Sequence, residues 1–280
     1  MARPESISKL ASTAAMWIFL GFVIWYFAMP LSWLVLSAFN PEASVAFTVP
    51  SHPSLINFVK LTWPVSGVPP YWWIVNSIII SLSTAGLATV LSIGAAFVLT
   101  RYSFRGQGAL VTSFVIFRML PALLIALPIM ILFHMWGLMN NLAALVMVLT
   151  ALVLPFTLMI ADSYFRAIPI TYEEAALIDG CNKLEAFTRV TLPLAAPGIA
   201  TIFLLAFVIA WSQFVIPLFI IRSVSLMPAS VGLWFFFGQY GRVDYGRLSA
   251  FSLVYSIPII IMYFSIQKYL QKGIAGLVTR

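Results

Sequence analysis

The residue types that most often perform chemistry in enzymes are scarce in this sequence. It contains one cysteine, Cys181, and two histidines, His52 and His134, which lie far apart with no carboxylate at a ligand-like spacing. We therefore expect no protein-built metal site, and a single cysteine excludes an intrachain disulfide. The apolar stretches also lack paired aspartates and any serine–histidine combination, which disfavours an intramembrane enzyme.

The lysines exclude ATP hydrolysis by this chain alone. A Walker A loop needs a lysine followed directly by serine or threonine, because the lysine reaches the phosphates and the hydroxyl binds Mg²⁺. None of the five lysines meets this requirement: Lys9, Lys60, Lys183, Lys268 and Lys272. We expect no cofactor in this chain.

The composition is typical of a polytopic membrane protein. Apolar residues make up 62% of the 280 residues and charged residues 8%, against about 45–50% and about 25% in soluble domains. Intervals such as 61–100 and 119–161 contain no Asp, Glu, Lys or Arg. The net charge of +7 comes from single basic residues at the ends of apolar runs, so it does not indicate nucleic-acid binding.

Six apolar runs are long enough to cross a bilayer, which takes about 20 helical residues. They are 14–39, 72–100, 109–133, 142–161, 195–221 and 248–268. A polar turn containing Gly137, Asn140 and Asn141 separates the third run from the fourth, and four prolines predict kinks: Pro121, Pro128, Pro155 and Pro217. The expected fold class is an all-α polytopic membrane protein, with residues 1–280 forming one transmembrane domain.

The basic residues predict the orientation of these helices. Lys and Arg concentrate on the cytoplasmic side of membrane proteins. With the N-terminus inside, the inner residues are Arg3, Lys9, Arg101, Arg105, Arg166, Lys183, Arg189, Lys268, Lys272 and Arg280, and the outer ones are Lys60, Arg222, Arg242 and Arg247. We therefore expect both termini in the cytoplasm, outer connections at 40–71 and 222–247, and an inner connection at 162–194.

The remaining basic residue, Arg118, falls within the predicted third helix. Its position is about 14 Å along that helix, near the middle of a bilayer core about 30 Å thick. Contact with lipid there would cost at least about 2.5–3.5 kcal/mol, so we expect Arg118 to face the bundle interior or a wet cavity. Two roles stay open: binding of substrate hydroxyls or of an acidic group, and pairing with carbonyls near Pro121 or with a partner's acid.

The inner connection 162–194 is predicted to contain two short amphipathic helices joined at Gly180, which can adopt positive φ. Two pairs have the spacing of a capping box: Thr171 with Glu174, and Asn182 with Glu185. Pro193 is expected to stop the second helix. Four charged residues are expected to stay in water: Glu173, Asp179, Lys183 and Arg189.

Seven positions in this connection form a specific pattern: Glu174, Ala175, Ala176, Gly180, Val190, Leu192 and Pro193. Their types and spacing resemble the signature of the membrane subunits of ATP-binding-cassette importers. The resemblance implies that this segment, including Asp179, couples the chain to an ATPase.

Shorter matches run along nearly the whole chain. They are SAFNP at 37–41, NS at 76–77, RYSFRG at 101–106, WSQF at 211–214, GQY at 238–240 and QKGIAG at 271–276. These segments resemble the carbohydrate branch of the family, and within it the second permease of maltose-type importers. The resemblance implies the type I importer permease fold and a sugar or polyol as the transported solute. Arg118, Cys181 and a short C-terminal tail depart from the pattern.

The same resemblance implies the partners. They are a second permease subunit, two cytoplasmic subunits that bind ATP and Mg, an extracytoplasmic solute-binding protein and the lipids of a prokaryotic cytoplasmic membrane, with no nucleic acid. The chain itself is expected to be a transport subunit and not an enzyme. An importer of a non-sugar solute is an alternative. A secondary transporter is a further one, but it would place paired ionisable groups at membrane depth, where Arg118 stands alone.

Two more groups of residues are functional candidates. Aromatic rings stack on sugars and amides replace water at their hydroxyls, so the substrate path is expected to be bordered by Trp211, Gln213 and Phe214. Helix packing is the alternative for these three. Contact with the solute-binding protein is expected at Trp234, Gln239 and Tyr240, with burial inside the permease as the alternative.

Overall fold

The computed structural model describes residues 4–237 and 243–278, and the side chains of 12–237 and 243–267. Within these ranges the regular structure is helical, apart from one isolated β-bridge, and irregular connections join the helices. The α-helices are α1 Pro4–Ala38, α2 Ile56–Val59, α3 Tyr71–Arg101, α4 Gln107–Arg118, α5 Ala122–Met135, α6 Leu142–Ala167, α7 Thr171–Ile178, α8 Lys183–Ala186, α9 Leu192–Leu194, α10 Ala196–Trp211, α11 Val215–Ile220, α12 Ala229–Gly232 and α13 Tyr245–Val278. Short 3₁₀-helical segments occupy Lys60–Thr62, Val224–Leu226 and Leu233–Phe237, and a π-helical turn occupies Phe187–Thr191.

Four helical stretches are long and apolar enough to cross a membrane by themselves: Ser12–Ala38, Tyr71–Arg101, Leu142–Ala167 and Tyr245–Gln267. Two further pairs qualify only together, because each is bent. α4 and α5 meet at 99°, and Lys183–Leu194 meets α10 at 73°. The described residues thus hold four candidate spans, or up to six if each bent pair is one span.

Two of the predicted helices are therefore not continuous. The predicted third helix, 109–133, breaks between Arg118 and Ala122, because Pro121 has no N–H to donate and disfavours helical geometry in the residue before it. The predicted fifth helix, 195–221, ends at Trp211 and resumes as α11. Pro128 and Pro155, in contrast, lie inside the helices α5 and α6.

Contacts within the chain define two units. The first comprises Met1–Pro64 and Phe235–Val254, and the second comprises Val65–Trp234 and Tyr255–Arg280. In the first unit, the buried amide of Asn57 donates to the carbonyls of Ala38 and Asn40 at 3.1 and 2.8 Å. These carbonyls follow the end of α1, where no helical N–H reaches them, so Asn57 supplies the missing donors.

The second unit is built on α3, which packs against α6 and α10. Small buried residues on α3, including Ala85, Ala88 and Ala96, let the helices approach closely. A buried hydrogen bond from Ser92 Oγ to Thr157 Oγ1, 2.6 Å long, joins α3 to α6. Small residues and hydroxyl pairs of this kind hold helices together where the surrounding medium is as apolar as the side chains.

Asparagines organise the other end of the second unit. Asn140 has a φ of 57°, and its Oδ1 accepts from the backbone N–H groups of Arg222 and Ser223 at 3.1 and 2.9 Å. Asn141 caps α6 by accepting from two backbone N–H groups. On α3, Asn76 donates to the carbonyl of Ser225 at 2.8 Å. The polar turn predicted between the third and fourth runs is confirmed, and it also holds the connection after α11.

We expect Gly198→Ala to destabilise the second unit. A Cβ at Gly198, on α10, would lie 2.5 Å from Cγ of Tyr164 on α6, and such overpacking costs about 1–3 kcal/mol. Gly94→Ala is the matched control, because it is also helical and a Cβ there meets nothing within 4 Å. Thermal unfolding in detergent should show a lower Tm for Gly198→Ala alone. Equal Tm values for the two variants would contradict this packing.

Candidate functional site

The first helix of the inner connection, α7, ends in a left-handed turn. Gly180 has a φ of 95°, as predicted. The N–H of Cys181 donates to the carbonyl of Ala176 at 3.0 Å, and the N–H of Gly180 donates to that of Leu177 at 3.1 Å. This pair of bonds is the Schellman arrangement, which stops a helix and turns the chain sharply.

The second helix, α8, begins immediately after the turn. The backbone N–H of Glu185 donates to Asn182 Oδ1, and the N–H of Asn182 donates to Glu185 Oε2, both at 2.9 Å. This reciprocal capping box confirms one of the two predicted pairs. We refer to α7, the turn at Gly180 and the helical segment Lys183–Leu194 as the elbow.

Two other predictions for the elbow are wrong. Thr171 does not cap α7: Ile170 occupies the cap position, with no side-chain hydrogen bond, and Thr171 lies inside the helix. Pro193 does not stop the second helix, which continues through Phe187–Thr191 to Leu194 before the chain bends into α10. Pro193 has no N–H to donate, and the π-helical turn Phe187–Thr191 just before it is where the regular α-helical hydrogen bonding is interrupted.

A buried ion pair holds the elbow to α3. Glu173 Oε1 lies 2.8 Å from Arg101 Nε, and only 8% of the arginine side chain and 11% of the glutamate side chain are exposed. Thr191 Oγ1 donates to the same carboxylate oxygen at 2.8 Å. Glu173 was predicted to stay in water, and this prediction is wrong. Its carboxylate accepts hydrogen bonds from α3 and from the second helical segment of the elbow, Lys183–Leu194, which we call its far arm.

Aromatic packing reinforces this attachment. The ring of Phe187, on the far arm of the elbow, lies 4.4 Å from that of Phe97 on α3 and 6.4 Å from that of Phe165 on α6. Aromatic pairs at such distances add about 0.5–1.5 kcal/mol to area burial. The elbow is thus fixed by one ion pair and one aromatic cluster to the ends of two long helices.

The outer face of the elbow is apolar and exposed. Ile178 and Leu184, one on each helix, are 86% and 70% exposed. Of the residues predicted to couple to an ATPase, Ala176 is buried and Leu192 half-buried, while the exposed ones are Glu174, Ala175, Asp179, Gly180 and Pro193. Beside this face lies a cleft of about 220 Å³, where Lys183 Nζ lies 5.5 Å from the centre of the Tyr102 ring.

The structure separates the three residues predicted to border a substrate path. Trp211 is 1% exposed and its ring lies between those of Phe207 and Tyr255, at 5.5 and 5.0 Å. Gln213 is half-buried and Phe214 is exposed, in the break after α10. Within the single chain, Trp211 is therefore a packing residue, and only Gln213 and Phe214 reach the surface.

Arg118 is the last residue of α4 and not part of a continuous helix through 109–133. Its guanidinium lies 4.5 Å from the centre of the Phe156 ring. Among the residues predicted to contact a binding protein, Trp234 is exposed, while Gln239 and Tyr240 lie outside the described residues. No group of His, Cys, Asp and Glu side chains within the described ranges could hold a metal ion.

Glu173→Gln should destabilise the protein far more than Glu174→Gln, its neighbour in sequence. Loss of the Glu173 charge leaves Arg101 buried without a counter-charge, and breaking a buried pair costs about 3–5 kcal/mol. Glu174 is exposed, so its change should stay within about 0.5 kcal/mol. Thermal unfolding of the purified complex, followed by tryptophan fluorescence, measures both. If the two variants melt together, the ion pair does not fasten the elbow.

Comparison with known proteins places the chain in a family. Residues 88–276 match the family model described as "Binding-protein-dependent transport system inner membrane component". The probable ABC transporter permease protein YurM of Bacillus subtilis (strain 168) is 32% identical over 267 residues, which cover 94% of this chain and 87% of that protein. The trehalose/maltose transport system permease protein MalG of Thermococcus litoralis is 31% identical over 252 residues, covering 88% and 89%.

A solved structure has the same fold. The crystal structure of a bacterial ABC transporter involved in the import of the acidic polysaccharide alginate contains a chain that matches with a TM-score of 0.77 and 19% identity, covering 96% of this chain and 99% of that one. The resemblance carried by residues 174–193 is thereby confirmed. The chain belongs to the binding-protein-dependent transport system inner membrane components, the permease subunits of ATP-binding-cassette importers.

Proposed function

We propose that this permease moves a sugar or a related polyol across the cytoplasmic membrane of a prokaryote. We also propose that the ATPase binds the elbow, so that its conformational change during ATP hydrolysis is transmitted to the permease. The partners would be a second permease subunit, two ATPase subunits that bind ATP and Mg, and an extracytoplasmic solute-binding protein. The trehalose/maltose permease among the relatives supports a sugar as the solute.

The observation that carries the coupling role is the exposed apolar face of a stiff element. Ile178 and Leu184, on either side of the turn at Gly180, present bulky apolar side chains to solvent, and exposed apolar surface is a common feature of protein–protein contacts. Gly180 and the capping box at Asn182 fix the angle between the two helices that carry them. A partner that covers this face would therefore move both helices as one body.

The attachment of the elbow supports a direct route from the ATPase to the membrane helices. Glu173 connects α7 to Arg101 at the end of α3, and Thr191 connects the far arm to the same carboxylate. α3 in turn packs along α6 and α10. A displacement of the elbow would be transmitted to these helices, because densely packed interiors shift as units and do not deform continuously.

The topology we propose has six spans and both termini in the cytoplasm. α4 with α5 would then count as one span and α10 with α11 as another, while Lys183–Leu194 stays outside the membrane as part of the elbow. The excess of Lys and Arg on the side of the elbow supports this orientation. Gln213 and Phe214 would border the solute path, and Trp234, Gln239 and Tyr240 would lie on the outer side, where a binding protein delivers the solute.

Substitution of the exposed apolar face tests the coupling role. Ile178→Asp should abolish copurification of the cognate ATPase and sugar-stimulated ATP hydrolysis, because a carboxylate would be desolvated on docking. Ile178→Met keeps a side chain of similar volume and should preserve both. Since Ile178 is exposed, neither variant should change the Tm of the permease. Normal ATPase capture by Ile178→Asp would contradict the proposal.

A further inference from the structure

Arg118 lies beside the apolar run of α6 in the second unit. Its guanidinium stacks on Phe156, which lies 14 residues after Leu142 on α6 and five residues before Ala161, where the apolar run ends. At 1.5 Å per residue, the charge is about 21 Å from one end of this run and about 8 Å from the other. The break at Pro121 therefore leaves Arg118 within the apolar run.

The charge of Arg118 is not neutralised within the described part of the chain. The three ion pairs there join Arg101 to Glu173, Arg166 to Asp162 and Arg189 to Glu185. The polar contact of the Arg118 guanidinium is a long one, 3.9 Å from Nη1 to the sulfur of Met159, and sulfur is a weak acceptor. A guanidinium has five N–H donors, so most of its hydrogen-bonding capacity remains available.

Arg118 is the charged residue of a largely apolar groove. The groove has a volume of about 280 Å³ and is lined by Arg118, Phe156, Met159, Ile160, Ser163 and Tyr164. Phe156 holds one face of the guanidinium, which leaves the N–H edge directed to the sides. Ser163 donates its hydroxyl proton to the carbonyl of Met159, so its oxygen can still accept a hydrogen bond.

Lipid acyl chains cannot accept a hydrogen bond from the guanidinium of Arg118. A guanidinium left unpaired against lipid is costly, and an anion is the partner that recovers most of this cost, because a carboxylate or a sulfate accepts two parallel N–H bonds from arginine. Asp162, on the same helix, is already paired with Arg166 at 2.8 Å. The anion that complements Arg118 is therefore one that passes through or stays in the groove.

We propose that Arg118 lies in the solute path and selects solutes that carry an anionic group, a carboxylate or a sulfate, on a saccharide. This inference rests on the proposed function and specifies its substrate class. Arg118 binds the anionic group through its N–H edge, and Ser163 accepts from a neighbouring sugar hydroxyl. Phe156 keeps the guanidinium plane in place.

The test uses the complete importer, with its binding protein, in proteoliposomes. The solutes are glucose, glucuronate and glucose 6-sulfate, each as a series from mono- to tetrasaccharide. We expect the wild-type protein to take up an acidic series at least about tenfold faster than glucose, consistent with a charge-assisted hydrogen bond. The two acidic series distinguish a carboxylate from a sulfate.

Arg118→Gln should assemble with its partner subunits and lose this preference. Arg118→Lys should restore uptake only in part, because an ammonium group lacks the planar fork. The matched control is Arg222→Gln, since Arg222 is also exposed and its guanidinium also contacts a methionine sulfur, at 3.8 Å. This control should keep the full preference for the acidic solute.

Several results would overturn the inference. Preferred uptake of neutral saccharides, or an unchanged preference in Arg118→Gln, removes Arg118 from solute selection while leaving sugar transport intact. Failure of both Arg118 variants to assemble assigns the residue to a structural pairing with a partner subunit. A requirement for phosphatidylglycerol that Arg118→Gln abolishes, with solute preference unchanged, assigns it to a lipid phosphate. Uptake of no saccharide at all contradicts the proposed function itself.

Discussion

The architecture of this permease depends on one buried ion pair at one end of the second unit. Glu173 and Arg101 are 72 positions apart in the sequence, and their side chains meet at 2.8 Å almost out of contact with solvent. Desolvating two charges is expensive, and their attraction offsets the cost only when the geometry is good and further donors satisfy the carboxylate. Thr191 supplies such a donor to Glu173, and the carbonyl of Ile168 accepts from Arg101.

The position of this pair explains why a surface element can remain stiff. The elbow has little apolar interior of its own, since Ile178 and Leu184 are directed to solvent. Its rigidity comes instead from backbone capping at Gly180 and Asn182 and from its attachment to α3 and α6. A buried ion pair is directional, so it specifies one orientation of the elbow where apolar packing alone would allow several.

Elsewhere in the chain, polar side chains form hydrogen bonds with backbone groups at the ends of helices. Asn57 satisfies the carbonyls after α1, and Asn140 holds the backbone after α11. Each such group is buried or half-buried, and each is paired, because a lost hydrogen bond away from water carries the full cost of desolvation. Arg118 differs from them, since no anion pairs with its charge in the described residues. We propose that a solute supplies this anion.

Local features of the sequence predicted much of this molecule. Apolar runs of about 20 residues indicated the spanning segments, since the thickness of the bilayer sets their length. The positive φ of Gly180, the capping box at Asn182 and the polar turn at Asn140 also followed from the sequence, because each involves residues within a few positions of one another. The seven-residue pattern at 174–193 indicated the family for the same reason, since its spacing is local.

Tertiary structure decided what depends on residues far apart in the chain. Glu173 looked like a solvated charge on an amphipathic helix, and only the approach of α3 and Thr191 made it a buried anchor. Trp211 looked like a ring at a solute path, and packing against Phe207 and Tyr255 placed it inside. Pro121 predicted a kink, but the size of the bend, 99°, appeared only in the fold, where α4 packs on α6 and α5 packs on α11. The periodicity of apolar residues in the sequence indicates which face of a helix is buried. The tertiary structure determines which neighbour covers a given side chain.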